Sequence, residues 1–347
     1  MDFIPLSPNF EVIMRIVIPM AGLGKRMRPH TLSQPKPLIP VAGKPIVYRL
    51  VEDIARMCDE KIDEIAFIIG DFGKETEDNL IAIAEKTGAK GSIYYQLEPK
   101  GTAHAILCAS DAIHGHTVVA FADTLFYADF KIDKDQDGII WTKKIENPAA
   151  FGVVETDENG IVKQFWEKPK TFVSDEAIIG IYYFRDGDYL KSELQYLIDN
   201  NLSVNGEYQI TDALSNMCRK GSKFKTAAVN HWLDCGNKEN TVLTNKTILE
   251  IGHENGKLVS KEIIQENSII IPPCYIGKGA QIKNSVVGPY ASIGENTVVE
   301  SCVITNSIIM NNARVADANI DFSMIGNFAE YQGNKESLNL GDYSEVK

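Results

Sequence analysis

The residues most suited to chemistry begin just after a short apolar run, Arg15–Ala21, in Met20-Ala-Gly-Leu-Gly-Lys-Arg-Met-Arg-Pro29. Ala21, Gly22 and Gly24 would let the backbone approach a phosphate, whose charge is then met by amide N–H groups. Arg26, Arg28, Pro29 and Pro35 make this a long cationic loop. Arginine can grip two phosphate oxygens through its fork, and lysine acts as a point charge. Two common phosphate loops are excluded. A GxGxxG fingerprint needs glycine where Met27 stands and a helix opening at once, and GxxxxGK[ST] is absent. Farther along stand Gln96, on an otherwise apolar strand, and Asp123, closing the apolar run Thr117–Asp123. Glu167-Lys-Pro169 and Trp232-Leu-Asp-Cys-Gly236, which contains Asp234, follow. A buried amide must find partners. Taken singly, Asp123 and Asp234 could be loop caps, Lys168 a solvated strand-end charge, and Tyr182 and Trp232 core.

The elements that must position these residues alternate between strand and helix from about Arg15 to Asp123. Ile46, Leu50, Ile54 and Met57 recur at helical spacing, and Leu80, Ile81 and Ala84 share another helical face. Strands are expected at Glu64–Gly70, Ser92–Gln96 and Thr117–Asp123, with a helix at Thr102–Ala112. Such alternation implies a mostly parallel sheet covered on both faces. Ligands collect at the carboxyl ends of its strands, where the loop after Met20 and Asp123 would lie. The next stretch changes style. Gly152–Glu155 and Ile161–Glu167 flank the hairpin signal Asp157-Glu-Asn-Gly160, Ala177–Phe184 is a strand, and two helical patterns follow. In the tail, Ile276, Ile282, Val287, Ile293, Val299, Ile304, Ile309, Val315, Ile320 and Ile325 recur every five or six residues. One inward aliphatic per six residues is the signature of a β-helix, here of roughly three to four coils.

A chain of 347 residues is more than one ordinary domain. Residues 1–13 read as an N-terminal extension, since Met14 begins a cleaner strand than Met1. Lacking a basic start, they do not resemble a secretory signal. The net charge of −12 argues against general binding to nucleic acid, which needs a basic face. It does not exclude a small anion, because a few cations in one cleft set the local field. No apolar run approaches the length of a membrane helix. The six cysteines are scattered without metal-ligand spacing, as reduced thiols of a cytoplasmic protein would be.

Gln34-Pro-Lys-Pro-Leu-Ile-Pro-Val-Ala-Gly-Lys-Pro-Ile46, together with the glycine loop, resembles the signature of the sugar-1-phosphate nucleotidyltransferases, GxGTRLxPLTxxxPKPLxPVxGKPxI. Lys25 stands where that family commonly has threonine. The resemblance continues in order down the chain, and its implications are these. Arg26 and Lys36 grip the triphosphate. Gln96, in Gln96-Leu-Glu-Pro-Lys-Gly-Thr-Ala-His-Ala105, reads the edge of uracil or thymine, with Gly101 as the close-approach glycine beside it. Asp123 is the first metal-binding aspartate, with Ala122 in place of the usual glycine, and Asp234 is the second. Gly152 belongs to the YGVV-type strand, here Phe151-Gly-Val-Val. Glu167 holds sugar hydroxyls, Lys168 contacts the sugar phosphate, and Ile178 and Tyr182 flank Gly180 on the sugar-pocket strand.

The expected architecture is α/β. A Rossmann-like, mostly parallel sheet forms a nucleotidyltransferase domain over residues 14–256, and a short left-handed parallel β-helix with a C-terminal tail occupies residues 257–347. The implied reaction joins a sugar 1-phosphate, glucose 1-phosphate first, to dTTP or UTP with Mg²⁺ as cofactor, releasing pyrophosphate. A mannose-1-phosphate guanylyltransferase or another nucleotide-sugar pyrophosphorylase is the alternative, and an inactive nucleotide-sugar sensor is the non-enzymatic one. Related uridylyltransferases also transfer an acetyl group with a histidine of the repeat. Here the last histidine, His253, precedes the repeat, so the tail is expected to support assembly, as in a homo-oligomer, or to bind a regulator between domains.

Overall fold

The computed structural model describes residues 13–127, 131–253 and 258–334. The expected extension, save Ile13, and the tail after residue 334 lie outside the described residues. Two compact units emerge.

The first unit holds the described residues up to Leu38 and those from Ile46 to Cys235. Its elements begin with β1 (Met14–Pro19), and the hairpin β2 (Pro40–Val41) and β3 (Lys44–Pro45) that follows belongs to the second unit. Then come α1 (Ile46–Met57), β4 (Ile62–Ile69), α2 (Lys74–Glu85), β5 (Lys90–Tyr95), α3 (Thr102–Leu107) and β6 (His116–Ala120). Strands β6, β1, β4 and β5 lie side by side and parallel. Ile16, Val17 and Ile18 have no exposed surface, as expected of a strand flanked by neighbours and covered on both faces. Helix α1 buries Ile46, Leu50, Ile54 and Met57, the four residues whose spacing marked it. In α2, Ile83 joins Leu80 and Ala84 in the core, whereas Ile81 is only half-buried.

The remaining elements of this unit are β7 (Thr124–Tyr127), β8 (Gly138–Lys144), β9 (Gly152–Thr156), β10 (Val162–Glu167), β11 (Glu176–Phe184), α4 (Gly187–Asp199), α5 (Ile210–Arg219), β12 (Phe224–Ala228) and β13 (His231–Asp234). Strand β11 joins β6 antiparallel and extends the sheet through β9 and β10 on one path and β8 and β12 on another, to nine strands. The hairpin of β9 and β10 forms where Asp157-Glu-Asn-Gly160 marked it, with the Asp157 side chain accepting from the Asn159 and Ile161 amides. Strands β7 and β13 form a separate antiparallel pair.

In the second unit, α6 (Lys238–His253) is followed by strands β14 to β26, from Ile264 to Gln332, in three parallel sheets. Ile264, Gln281, Val298, Arg314 and Glu330 stack on one face, so each coil takes sixteen or seventeen residues. Five strands stack on that face and four on each of the others, slightly more than the three to four coils expected. Ile276, Ile282, Val287, Ile293, Val299, Ile304, Ile309 and Val315 fill the narrow core. Asn267, Asn284, Asn296, Asn306 and Asn312 turn the coils in the left-handed region, which asparagine tolerates better than most residues. Truncating Ile293, fully buried between Ile276 and Ile309, should cost about 2–5 kcal/mol. The urea midpoint of Ile293→Ala tests this.

Helix α6 groups with the coils, and the compact division falls after Cys235. The physical reason is Asn245. Its buried Oδ1 accepts from the Ala42 amide at 2.9 Å and from Ser292 Oγ at 2.7 Å. Its Nδ2 donates to the Tyr290 carbonyl at 3.3 Å. Among the described residues no helix is long and apolar enough to cross a membrane.

Candidate active site

At the carboxyl ends of the parallel strands lies a cleft of about 320 Å³. Ala21, Gly22 and Gly24 from the loop after β1 line it, with Lys36, Gln96, Gly101 and Asp123. This is where the sheet rule places a ligand. Gly24 adopts φ 56°, and an added Cβ would come within 3.0 Å of Lys36 Cβ, so glycine here lets the loop close over Lys36. A Cβ on Gly22 would meet nothing within 4 Å. Protein packing therefore does not require glycine at 22, whereas close approach of a phosphate would.

Lys36 Nζ lies 2.9 Å from Asp123 Oδ2, with 12% of the lysine side chain and 39% of the aspartate side chain exposed. The sequence assigned these two to triphosphate and metal separately, whereas the structure pairs them directly. Asp123 ends the turn between β6 and β7. Because β7 pairs with β13, Asp234 stands opposite Thr124, and the Cys235 amide donates to the Asp123 carbonyl at 3.0 Å. Two acids far apart in sequence thus meet on adjacent backbones. Among the described residues no cluster of three or more acidic, His or Cys side chains is poised for a metal. A pair of carboxylates with room for water is the donor set that suits magnesium, which binds through one or two carboxylates and keeps several waters. The ammonium of Lys36 already places a positive charge against Asp123.

Gln96 follows β5 and finds the partners its half-burial demands, one of which is the Gly101 carbonyl, 3.1 Å from Nε2. Gly101 has φ 101°, and a Cβ there would lie 2.4 Å from the Tyr208 carbonyl oxygen. The backbone it approaches belongs to residues 204–211, a segment the sequence reading did not single out. Tyr208 N donates to the Lys100 carbonyl and Ala103 N to the Tyr208 carbonyl, both at 2.9 Å. Thr102 Oγ1 donates to Gln209 Oε1 at 3.1 Å and accepts from Ile210 N at 3.0 Å. Glu207 of the same segment lines the cleft. The one local signal was Asn205-Gly206, a turn dipeptide whose two residues both take positive φ.

The residues expected to hold the sugar phosphate gather on β9, β10 and β11. Gly152 is paired with Glu167 in the ladder, and a Cβ on Gly152 would lie 3.2 Å from Glu167 Oε2 and 3.3 Å from Ile178 Cδ1. Ile178 and Tyr182 are buried. Burial first, and the Glu167 carboxylate second, push the Tyr182 hydroxyl well above the usual tyrosine range, so it stays protonated and able to donate. Thr211 Oγ1 lies 3.4 Å from Glu167 Oε2, which ties this group to the 204–211 segment. Phe151 packs edge-on against Trp232 with ring centres 4.7 Å apart, tying it also to the strand that carries Asp234. Lys168 is exposed, with φ 44° and its Nζ 3.5 Å from Glu167 Oε1. Arg26 is exposed on the glycine loop and is not among the residues lining the cleft.

A mostly parallel sheet whose carboxyl edge carries a glycine-rich cationic loop and Asp123, with Asp234 on the neighbouring backbone, is the frame of an enzyme that handles phosphate esters. The chain belongs to the nucleotidyl transferase family, whose model matches residues 16–250. It is 27% identical to a glucose-1-phosphate thymidylyltransferase of Streptomyces griseus, over 96% of this chain and 99% of that one. It is 30% identical to the bifunctional protein GlmU of Methanocaldococcus jannaschii, over 94% of this chain and 81% of that one. A low-salt glycan biosynthesis nucleotidyltransferase, Agl11 of Haloferax volcanii, is 29% identical over 96% of this chain and all of its own length. Among solved structures, a UDP-glucose pyrophosphorylase with UDP-glucose bound shares the fold, with a TM-score of 0.57, 23% identity, and coverage of 69% of this chain and 99% of that one.

Proposed function

We propose that the protein transfers a nucleotidyl group from dTTP or UTP to a sugar 1-phosphate, glucose 1-phosphate first, releasing pyrophosphate. The observation that carries this reading is the cleft in which Gly22, Gly24 and the Lys36–Asp123 pair face one another, with Asp234 across the strand ladder. The names of the Streptomyces and Haloferax relatives support the same chemistry.

An oxygen of the sugar phosphate attacks the α-phosphorus in line, and pyrophosphate leaves. The nucleophile is already anionic at neutral pH, so no general base is needed. Catalysis comes from positioning and charge neutralisation. Asp123 and Asp234 would hold Mg²⁺, which supplies charge neutralisation between the two phosphates when bound. Backbone amides of residues 21–24 cradle the triphosphate, Lys36 draws it against Asp123, and Arg26 stabilises the departing pyrophosphate. Lys168 offsets repulsion between the two anions. Glu167 accepts from sugar hydroxyls, with Gly152 leaving room for the ring and Ile178 and Tyr182 forming the wall.

Gln96 sets base choice. A competition assay with dTTP, UTP, ATP and GTP should favour the two pyrimidine nucleotides, because a site built for one base edge leaves buried groups unpaired with another. A purine preference would overturn this assignment. The reading also carries a cytoplasmic homo-oligomer, with Phe328 and Tyr331, 74% and 50% exposed near the last coil, offering apolar surface for self-association. Nothing in the repeat favours acyl transfer, since residues 257–347 contain no histidine.

A further inference from the structure

The Gln96 amide is already committed on one side. Its Nε2 lies 3.1 Å from the Gly101 carbonyl and 3.0 Å from Nδ1 of His104, on the first turn of α3. A carbonyl can only accept, so the group facing Gly101 is the NH₂, and this fixes which way the amide points. Its second N–H then goes to His104, whose Nδ1 must carry the lone pair, with the ring proton on Nε2. Both amide donors are thereby used, and Oε1 is the atom left over. Gln96 lines the cleft and His104 does not, so the histidine acts from behind.

We propose that His104 is a positioning residue that locks the Gln96 amide so that only its oxygen is offered to the base, selecting nucleobases that present a ring N–H. The inference rests on the transferase reading above. Uracil and thymine carry a donor at N3. Cytosine carries a lone pair there, which would face the lone pairs of Oε1. Without His104 the second N–H would be uncommitted and could be offered to cytosine, so the histidine is what rejects CTP.

The charged groups acting on His104 are Lys100 and Glu98, from the loop before α3, and the Cys108 sulfur lies 3.9 Å away along the helix. Burial first, then Lys100, hold the imidazole below its ordinary range, with Glu98 opposing. The neutral, accepting ring therefore prevails at neutral pH. Protonation turns Nδ1 into a donor and breaks the bond to Gln96, so selectivity is present above the His104 titration and lost as pH falls through it.

The test is pyrophosphate release from glucose 1-phosphate with UTP, dTTP and CTP, comparing kcat/KM across pH for the full chain, His104→Leu and His104→Gln. The UTP-to-CTP ratio cancels titration of the phosphates common to both nucleotides. The leucine variant should narrow that ratio about tenfold, the order of one lost hydrogen bond, mainly through KM. The glutamine variant, whose oxygen can accept the same bond, should keep the ratio at neutral pH and lose its decline in acid. An unchanged ratio in the leucine variant overturns the inference. So does an acid decline in the glutamine variant equal to that of the parent, which keeps the test decisive if the leucine variant does not fold. A parent chain inert with every nucleotide and sugar phosphate overturns the transferase reading itself. A selective parent with an equally selective leucine variant overturns the His104 lock alone.

Discussion

Asp123→Asn and Asp234→Asn should each lower pyrophosphate release at least about 10²-fold, the order associated with one element of electrostatic stabilisation at a reacting centre. Asparagine keeps the shape of the side chain and removes its charge, so the change is directed at chemistry. At position 123 the loss is double. In the proposed reaction the carboxylate would face the reacting phosphates; it also holds Lys36 Nζ at 2.9 Å, and a neutral amide leaves that ammonium without its ion pair. At position 234 the backbone bond from Cys235 to the Asp123 carbonyl is kept, because it does not involve the side chain. Both variants should need more Mg²⁺ for half-maximal rate. Near-normal turnover in the two would remove the metal assignment.

The second large effect is expected at Gly101, where a side chain has no room. Gly101→Ala would place a Cβ 2.4 Å from one backbone atom of Tyr208 and 2.6 Å from another, in a φ of 101° that L residues rarely adopt. Backbone cannot swing aside as a flexible side chain can, so the 96–102 loop must part from residues 207–211. That separation pulls on the Thr102–Gln209 bond and shifts Gln96, whose amide is held by the Gly101 carbonyl. We expect a stability loss of about 1–3 kcal/mol from overpacking, together with a rise in nucleotide KM of about tenfold or more. Gly22→Ala is the informative contrast. Its Cβ meets nothing in the protein, so the melting temperature should hold while turnover falls through obstruction of the phosphate. If Gly22→Ala were fully active, the glycine loop would not be a phosphate cradle.

Much of this site is legible because its residues lie at the ends of strongly patterned elements. The run before Met20, the Ile46–Met57 spacing and the hairpin at Asp157–Gly160 mark their elements by periodicity and turn chemistry alone. Inward aliphatics mark the coils, although the structure shortens each to sixteen or seventeen residues, fewer than three full hexapeptides. What stayed hidden depends on long-range pairing. Thr124–Tyr127 and His231–Asp234 are four-residue strands, too short to show a period, and no local signal tells them to pair. That pairing is nonetheless what aligns Asp123 with Asp234. The same holds for Tyr208, whose backbone pairs with Lys100 and Ala103 and so carries little side-chain signature. The grouping of α6 with the coils likewise rests on long-range bonds, those of buried Asn245 to Ala42 and Ser292.

The most direct test of the central claim is a matrix of nucleoside triphosphates against sugar 1-phosphates, scored by pyrophosphate formed with Mg²⁺ and again after chelation. The account requires pyrophosphate only where both substrates are present, with most from UTP or dTTP, and almost none once the metal is removed. Pyrophosphate released without any sugar phosphate, or a rate indifferent to the chelator, would contradict it.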